Sequence, residues 1–151
     1  LMLMFVGFGW GKPVPFNPYN LKYQRYGPLL VALAGPFSNL IMSVLGGLVL
    51  WLLVITQALP FENLLIQFLN FFVILNVVLL LFNLIPIPPL DGSKILRAIF
   101  HGPQYQKMHV FLETQGPILL IILLILDTIV GINIFGRLFN GIIEWVYGII
   151  F

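Results

Sequence analysis

The chain has 151 residues, of which 60% are hydrophobic and 8% charged, with a mean hydropathy of +1.07. A soluble domain carries about 25% charged residues, so there is too little charge here to cover a water-facing surface, and the chain reads as an integral membrane protein. The net charge of +2 comes from few groups and no basic patch interleaves with aromatics, so nucleic acid is not an expected partner; with no cysteine there is neither a disulfide framework nor a thiolate metal site.

The expected fold is all-α: a polytopic bundle of transmembrane helices forming one membrane-embedded unit over residues 1–151. Leu1 already lies inside an apolar run, with no basic segment or cleavage site before it, so the sequence reads as the interior of a longer protein. Residues 1–8 are too few to span a bilayer, which takes about 20 apolar residues. Gly7-Phe-Gly9-Trp-Gly11 and Lys12-Pro13-Val-Pro15-Phe-Asn-Pro18 follow. Their prolines and alternating apolar residues predict an irregular, extended segment. It reads either as an interfacial loop with Trp10 and Tyr19 at headgroup level, or as an edge that pairs with a peptide by strand addition.

Pro28 suits a helix start, where its missing N–H is no loss, and a first span is predicted over residues 29–56. Gly35, Asn39, Ser43 and Gly47 recur every four residues, which puts them on one face where backbones approach closely. Ser43 and Gly47 read as packing positions; Asn39 reads equally as packing or as a site residue. After a turn containing Pro60, a second span is predicted over 63–85, with Asn76 and Asn83 seven apart on one face. The two spans make a hairpin. Lys12, Lys22 and Arg25 precede it, Lys94, Arg97 and Lys107 follow it, and its turn carries no Lys or Arg. The positive-inside rule then places the basic ends in the cytoplasm.

Between the second span and a short basic helix, Ser93 to Phe100, stands Asn83-Leu-Ile-Pro86-Ile-Pro88-Pro89-Leu-Asp91-Gly92. Three prolines end the helix, since each lacks a donor and crowds the residue before it. Irregular backbone at membrane depth must be buried in protein or line a wet cavity, and an ionisable residue there is a candidate functional group. Asp91 has two readings. It caps the short helix and pairs with Lys94 three residues on, or it is one ligand of a catalytic zinc, which takes three protein ligands and a water. The Asn83 side-chain amide is of the type that donates to a developing oxyanion.

Residues 100–113 read as a polar connection holding the chain's two histidines, His101 and His109. They are eight apart, which does not match the i, i+4 spacing of a helical ligand pair, so both read as solvated loop residues. A third span is predicted over 117–134, with Asp127 near its far end. Residues 135–151, with Arg137 and Glu144 seven apart, form an amphipathic interfacial helix or a span packed on the bundle.

The segment Asn83-x-x-Pro86-x-Pro88-x-x-Asp91-Gly92 resembles the metal-ligand motif of the site-2 protease family of intramembrane zinc metalloproteases. Gly35-Pro36-x-x-Asn39 resembles that family's second motif, and the stretch from Gly9 to Pro18 resembles the loop before the corresponding helix in its small prokaryotic branch. The resemblance implies that Asp91 is the third zinc ligand and that Asn83 positions the scissile carbonyl or its oxyanion. It implies that Asn39 supports the core helix or site, with Gly7, Gly9, Pro13 and Pro15 beside the substrate. It further implies a transmembrane protein substrate, and a place in the cell membrane of a prokaryote with Asp91 toward the cytoplasm. The family's H-E-x-x-H helix brings two histidine ligands and a glutamate base to the metal-bound water. That motif does not occur in these 151 residues. The expectation is therefore a fragment lacking that helix, inactive alone. Two further readings are a non-catalytic membrane scaffold of the same fold and a small transporter whose broken helix lines a path. A transporter predicts a second, matching break, and the sequence holds one break and no repeat.

Overall fold

A computed structural model describes residues 27–129 and 133–150. All regular structure among them is helical: α1 (Gly27–Ile55), α2 (Leu64–Asn83), α3 (Asp91–Ile99), α4 (Gln106–Ile129) and α5 (Ile134–Ile150), with a single 3-10 turn at Pro103–Tyr105. The predicted extended segment around Gly7 to Pro18 lies outside the described residues. Three helices are long and apolar enough to cross a membrane, α1, α2 and the one entered through the 3-10 turn. The protein is an all-α membrane protein.

α1 and α2 form the hairpin expected from the sequence. The turn between them is closed by Asn63, whose Oδ1 accepts from the Leu65 N–H at 2.9 Å and caps α2. The two helices pack tightly at Gly46, where a Cβ would come within 2.9 Å of the Phe72 ring. Gly47, the position picked out by the four-residue spacing, faces Ile150 of α5 at an ordinary 3.6 Å. Ser43 is buried as expected and donates to the Leu40 carbonyl at 2.9 Å. Leu50, Ile66, Val73, Val77 and Ile150 form the buried core, with Val54, Leu69, Ile142 and Val146 packed on it. So α5 is a helix, as predicted for 135–151, and one stripe of it lies on the α1–α2 hairpin.

The lengths of the two hairpin helices differ, and that difference builds the site. At 1.5 Å per residue, the 29 residues of α1 are about 43 Å long and the 20 residues of α2 about 30 Å. Counting back from the shared turn, α2 ends at the level of Gly35 or Pro36. The earlier turns of α1 extend past the end of α2 as a ledge, and α3 packs along it.

The third span departs from its predicted bounds. It begins at Gln106, not at Pro117, and Pro117 lies inside it. Residues 106–113 are polar but hold no glycine or proline, so nothing in their backbone resists helix. Pro117 removes one hydrogen bond without ending the helix. The helix ends at Ile129, short of the predicted 134. Asp127, read as an end-of-span residue, accepts from the Phe135 N–H at 3.3 Å and so ties the first turn of α5 to the end of α4.

Candidate active site

The site forms where α2 stops. Leu84 caps α2, and the chain from Ile85 to Leu90 is a run of tight turns: the Ile85 N–H donates to Phe82 O (3.1 Å), Ile87 to Ile85 O (2.9 Å) and Leu90 to Ile87 O (3.1 Å). The Pro88–Pro89 peptide is cis. These turns fold the loop back on itself so tightly that a Cβ on Gly92 would overlap the carbonyl oxygens of Leu84 and Ile85. Gly92 is buried, and only glycine fits there. This contact brings Asn83 and Asp91, eight residues apart, to the same end of the bundle.

Asp91 is the first residue of α3, whose cap is Leu90, and the cap makes no side-chain hydrogen bond. The reading of Asp91 as a helix cap is therefore corrected. Asp91 stands one residue inside the helix, not at the cap position from which a side chain accepts from the first free N–H groups. The expected pairing with Lys94 is present: Nζ donates to Asp91 Oδ1 at 2.7 Å. The other oxygen, Oδ2, lies over Gly35 of α1, 3.1 Å from where a Cβ would stand. The Asp91 side chain is 27% exposed, so it is sheltered but reachable. The first-turn Asp91 and last-turn Arg97 both complement the dipole of α3.

Asn39 lies one helical turn from Gly35 on the same face of α1, half-buried. Asn83, the last residue of α2, is also half-buried. Neither side chain makes a hydrogen bond among the described residues. Asn76 differs: it is buried, and its amide donates to the Phe72 carbonyl at 2.8 Å. Asn70, which sequence reasoning missed, buries Oδ1 without a partner among the described residues. Its only signal in the sequence is an amide inside an apolar span. Gly7, Gly9, Pro13 and Pro15 lie outside the described residues.

The histidines are placed differently from the expectation for one of them. His109 is on α4, half-buried, and its Nε2–H donates to the Phe100 carbonyl at 2.7 Å. His101 is exposed, as expected. Both line a polar cleft of about 460 Å³ with Arg97, Gln106 and Glu113. That cleft is at the far end of α3, about 12 Å from Asp91 at 1.5 Å per residue. Among the described residues no three His, Cys, Asp or Glu side chains are grouped to hold a metal. A larger groove, about 670 Å³, lies between α1, α2 and α5; Ser43 is its only hydroxyl, and that is already bonded to the backbone.

Fold and site together define a membrane-embedded α-helical protein with one sheltered carboxylate beside a broken helix. Peptidase family M50 matches residues 52–126, the stretch holding the last turn of α1, all of α2, the proline loop and α3, and most of α4. The chain is 37% identical over 131 residues to "Putative zinc metalloprotease YwhC" of Bacillus subtilis, covering 83% of this chain and 58% of that protein. It is 34% identical over 113 residues to a Streptococcus pyogenes serotype M1 protein also designated a putative zinc metalloprotease, covering 72% of this chain and 26% of that protein. No solved structure gives a significant match. The chain belongs to Peptidase family M50. It spans a little over half the length of the first of these relatives and about a quarter of the second.

Proposed function

We propose that the chain is the Asp91-bearing part of an intramembrane zinc metalloprotease that hydrolyses peptide bonds of transmembrane substrates. The observation that carries this reading is Asp91 itself. A carboxylate, partly exposed, stands at the start of α3 beside the Gly35-Pro36-x-x-Asn39 face of α1, in a chain of this family. Carboxylate oxygen is a regular zinc ligand, and Oδ2 is the oxygen that Lys94 leaves free. The residues present thus fit one corner of a zinc site. The other ligands and the general base are assigned to an H-E-x-x-H helix beyond these 151 residues, so this stretch alone is expected to be inactive. When bound, zinc lowers the pKa of its water to about 7.

The chain's own residues then have separate tasks. Asp91 would hold its carboxylate toward the metal, and Asn83, whose amide has no partner among the described residues, would offer it to the oxygen that becomes negative on attack. Asn39 supports the site from one turn along α1, and the stretch from Gly7 to Pro15 flanks the substrate. Because α2 is only as long as a bilayer's hydrocarbon core, the loop after it lies at the membrane boundary, within reach of water. The Lys and Arg that flank the hairpin support a cytoplasmic position for that boundary, and the family resemblance supports a prokaryotic cell membrane.

The test is Asp91→Ala in the full-length protein, assayed on a membrane-inserted substrate with and without a zinc chelator. Loss of chelator-sensitive cleavage is the expected result. Cleavage that survives the substitution removes Asp91 from the site and favours a non-catalytic binding role for this part of the chain.

A further inference from the structure

We propose that Gly35 is a positioning residue for the Asp91 carboxylate. The proposal rests on the reading of Asp91 as a metal ligand. A glycine inside a helix weakens it, so its presence calls for a reason. Gly46 has one in Phe72 and Val73, against which α1 is tightly packed. Around Gly35, the only atom of the described residues beyond its own stretch of helix that would lie within 4 Å of a Cβ is Asp91 Oδ2, at 3.1 Å. Among the described residues, the missing side chain therefore makes room for a carboxylate oxygen and for nothing else.

The carboxylate is held from two sides. Lys94 binds Oδ1 from one turn along α3, and the bare backbone of α1 bounds Oδ2. An alanine at position 35 leaves Oδ2 a few tenths of an ångström too close, so the carboxylate must swing. Metal–ligand distances tolerate only about 0.2 Å, and residues that orient a ligand typically change metal affinity about 10- to 100-fold. In this proposal Gly35 acts through Asp91, whose Oδ2 is what a Cβ at position 35 would meet.

Two measurements on the full-length protein in detergent test this. The first is thermal unfolding of the metal-free protein for wild type, Gly35→Ala, Asp91→Ala and the double variant. Gly35→Ala is expected to lower the midpoint by about 2–4 °C in the native background. In the Asp91→Ala background it should leave the midpoint unchanged or raise it, because the obstructing oxygen is gone and alanine is the better helix former. An equal change in both backgrounds overturns the proposal. If Gly35→Ala does not accumulate, recovery of the double variant supports the proposal and failure of both overturns it.

The second measurement is zinc affinity by competition with a chromogenic chelator. Gly35→Ala should weaken zinc about 10- to 100-fold, while Gly47→Ala, where a Cβ makes ordinary contact, should not. Wild-type affinity in Gly35→Ala overturns the proposal. Wild-type affinity in Asp91→Ala instead sinks the ligand assignment, and the stability cycle still judges whether Gly35 and Asp91 are coupled.

Discussion

Gly116 of α4 lies against the ring of Pro88: a Cβ on Gly116 would stand 2.7 Å from Pro88 Cδ. The contact joins a membrane-spanning helix to the loop that presents Asp91. Gly116 is buried, and its helical face also carries Glu113 and His109, three and seven residues earlier. Glu113 pairs with Arg97 of α3, and His109 donates to the Phe100 carbonyl just after α3. One stripe of α4 thus holds the loop and the short helix at three points.

Gly116→Ala should therefore cost about 1–3 kcal/mol, the usual range for forcing atoms into a packed contact. It should also reduce the proposed proteolytic activity of the full-length protein by shifting the loop. Thermal unfolding in detergent reads the first effect. An unchanged midpoint would mean that the Pro88 ring slides aside freely.

Arg97→Ala should do much less. Both partners of the Arg97–Glu113 pair are more than half exposed, and such pairs are worth about 0–1 kcal/mol. The steric contact at Gly116 should outweigh the ion pair in a side-by-side unfolding comparison. The reverse order would show that charge, not fit, holds α3 to α4.

Gly92→Ala should be the most damaging single change in the loop. The added methyl meets the backbone oxygens of Leu84 and Ile85, which cannot rotate away as a side chain can. The expected outcome is a protein that inserts in the membrane but loses both activity and protection of the loop from added protease. A normal digestion pattern would refute the tight fold-back.

Asn83→Ala should separate chemistry from folding. The amide has no partner among the described residues, so stability should hardly move, while the proposed role as an oxyanion donor predicts a fall in kcat of about 10²–10³. Steady-state kinetics on a membrane substrate decide this. A change confined to KM would assign Asn83 to substrate binding instead.

His101→Ala and His109→Ala should leave activity nearly intact, because both side chains are at the far end of α3 from Asp91. His109→Ala should still cost about 0.5–1.5 kcal/mol for its bond to the Phe100 carbonyl. A large loss of turnover in either variant would place the polar cleft in the reaction.

The hairpin and the broken helix were legible because their signals are local. Uncharged apolar runs mark α1 and α2, and three prolines within four residues, Pro86, Pro88 and Pro89, stop a helix where the single Pro36 and Pro117 do not. The pairing of Asp91 with Lys94 was legible for the same reason, being one turn of helix apart. What escaped needed three dimensions or ran against a local rule. The first turns of α4 carry polar residues and precede Pro117, so they resemble a loop; their links to the α3 region, Glu113 with Arg97 and His109 with the Phe100 carbonyl, are not visible from the sequence. The close approach of α1 and α2 at Gly46 instead of Gly47 depends on the rotation of one helix against the other, which spacing alone does not set. The meeting of Gly35 with Asp91 depends on two helix lengths and a turn lying between them.

That last dependence has a consequence for how the chain tolerates change. Each residue added to a helix lengthens it by 1.5 Å and rotates one end against the other through about 100°. A single insertion in α1 after Gly35, even among residues facing only lipid, would swing the glycine out from under the carboxylate. The α1–α2 hairpin is thus a phase standard as well as an anchor: outward-facing letters are free to change, but their number is not.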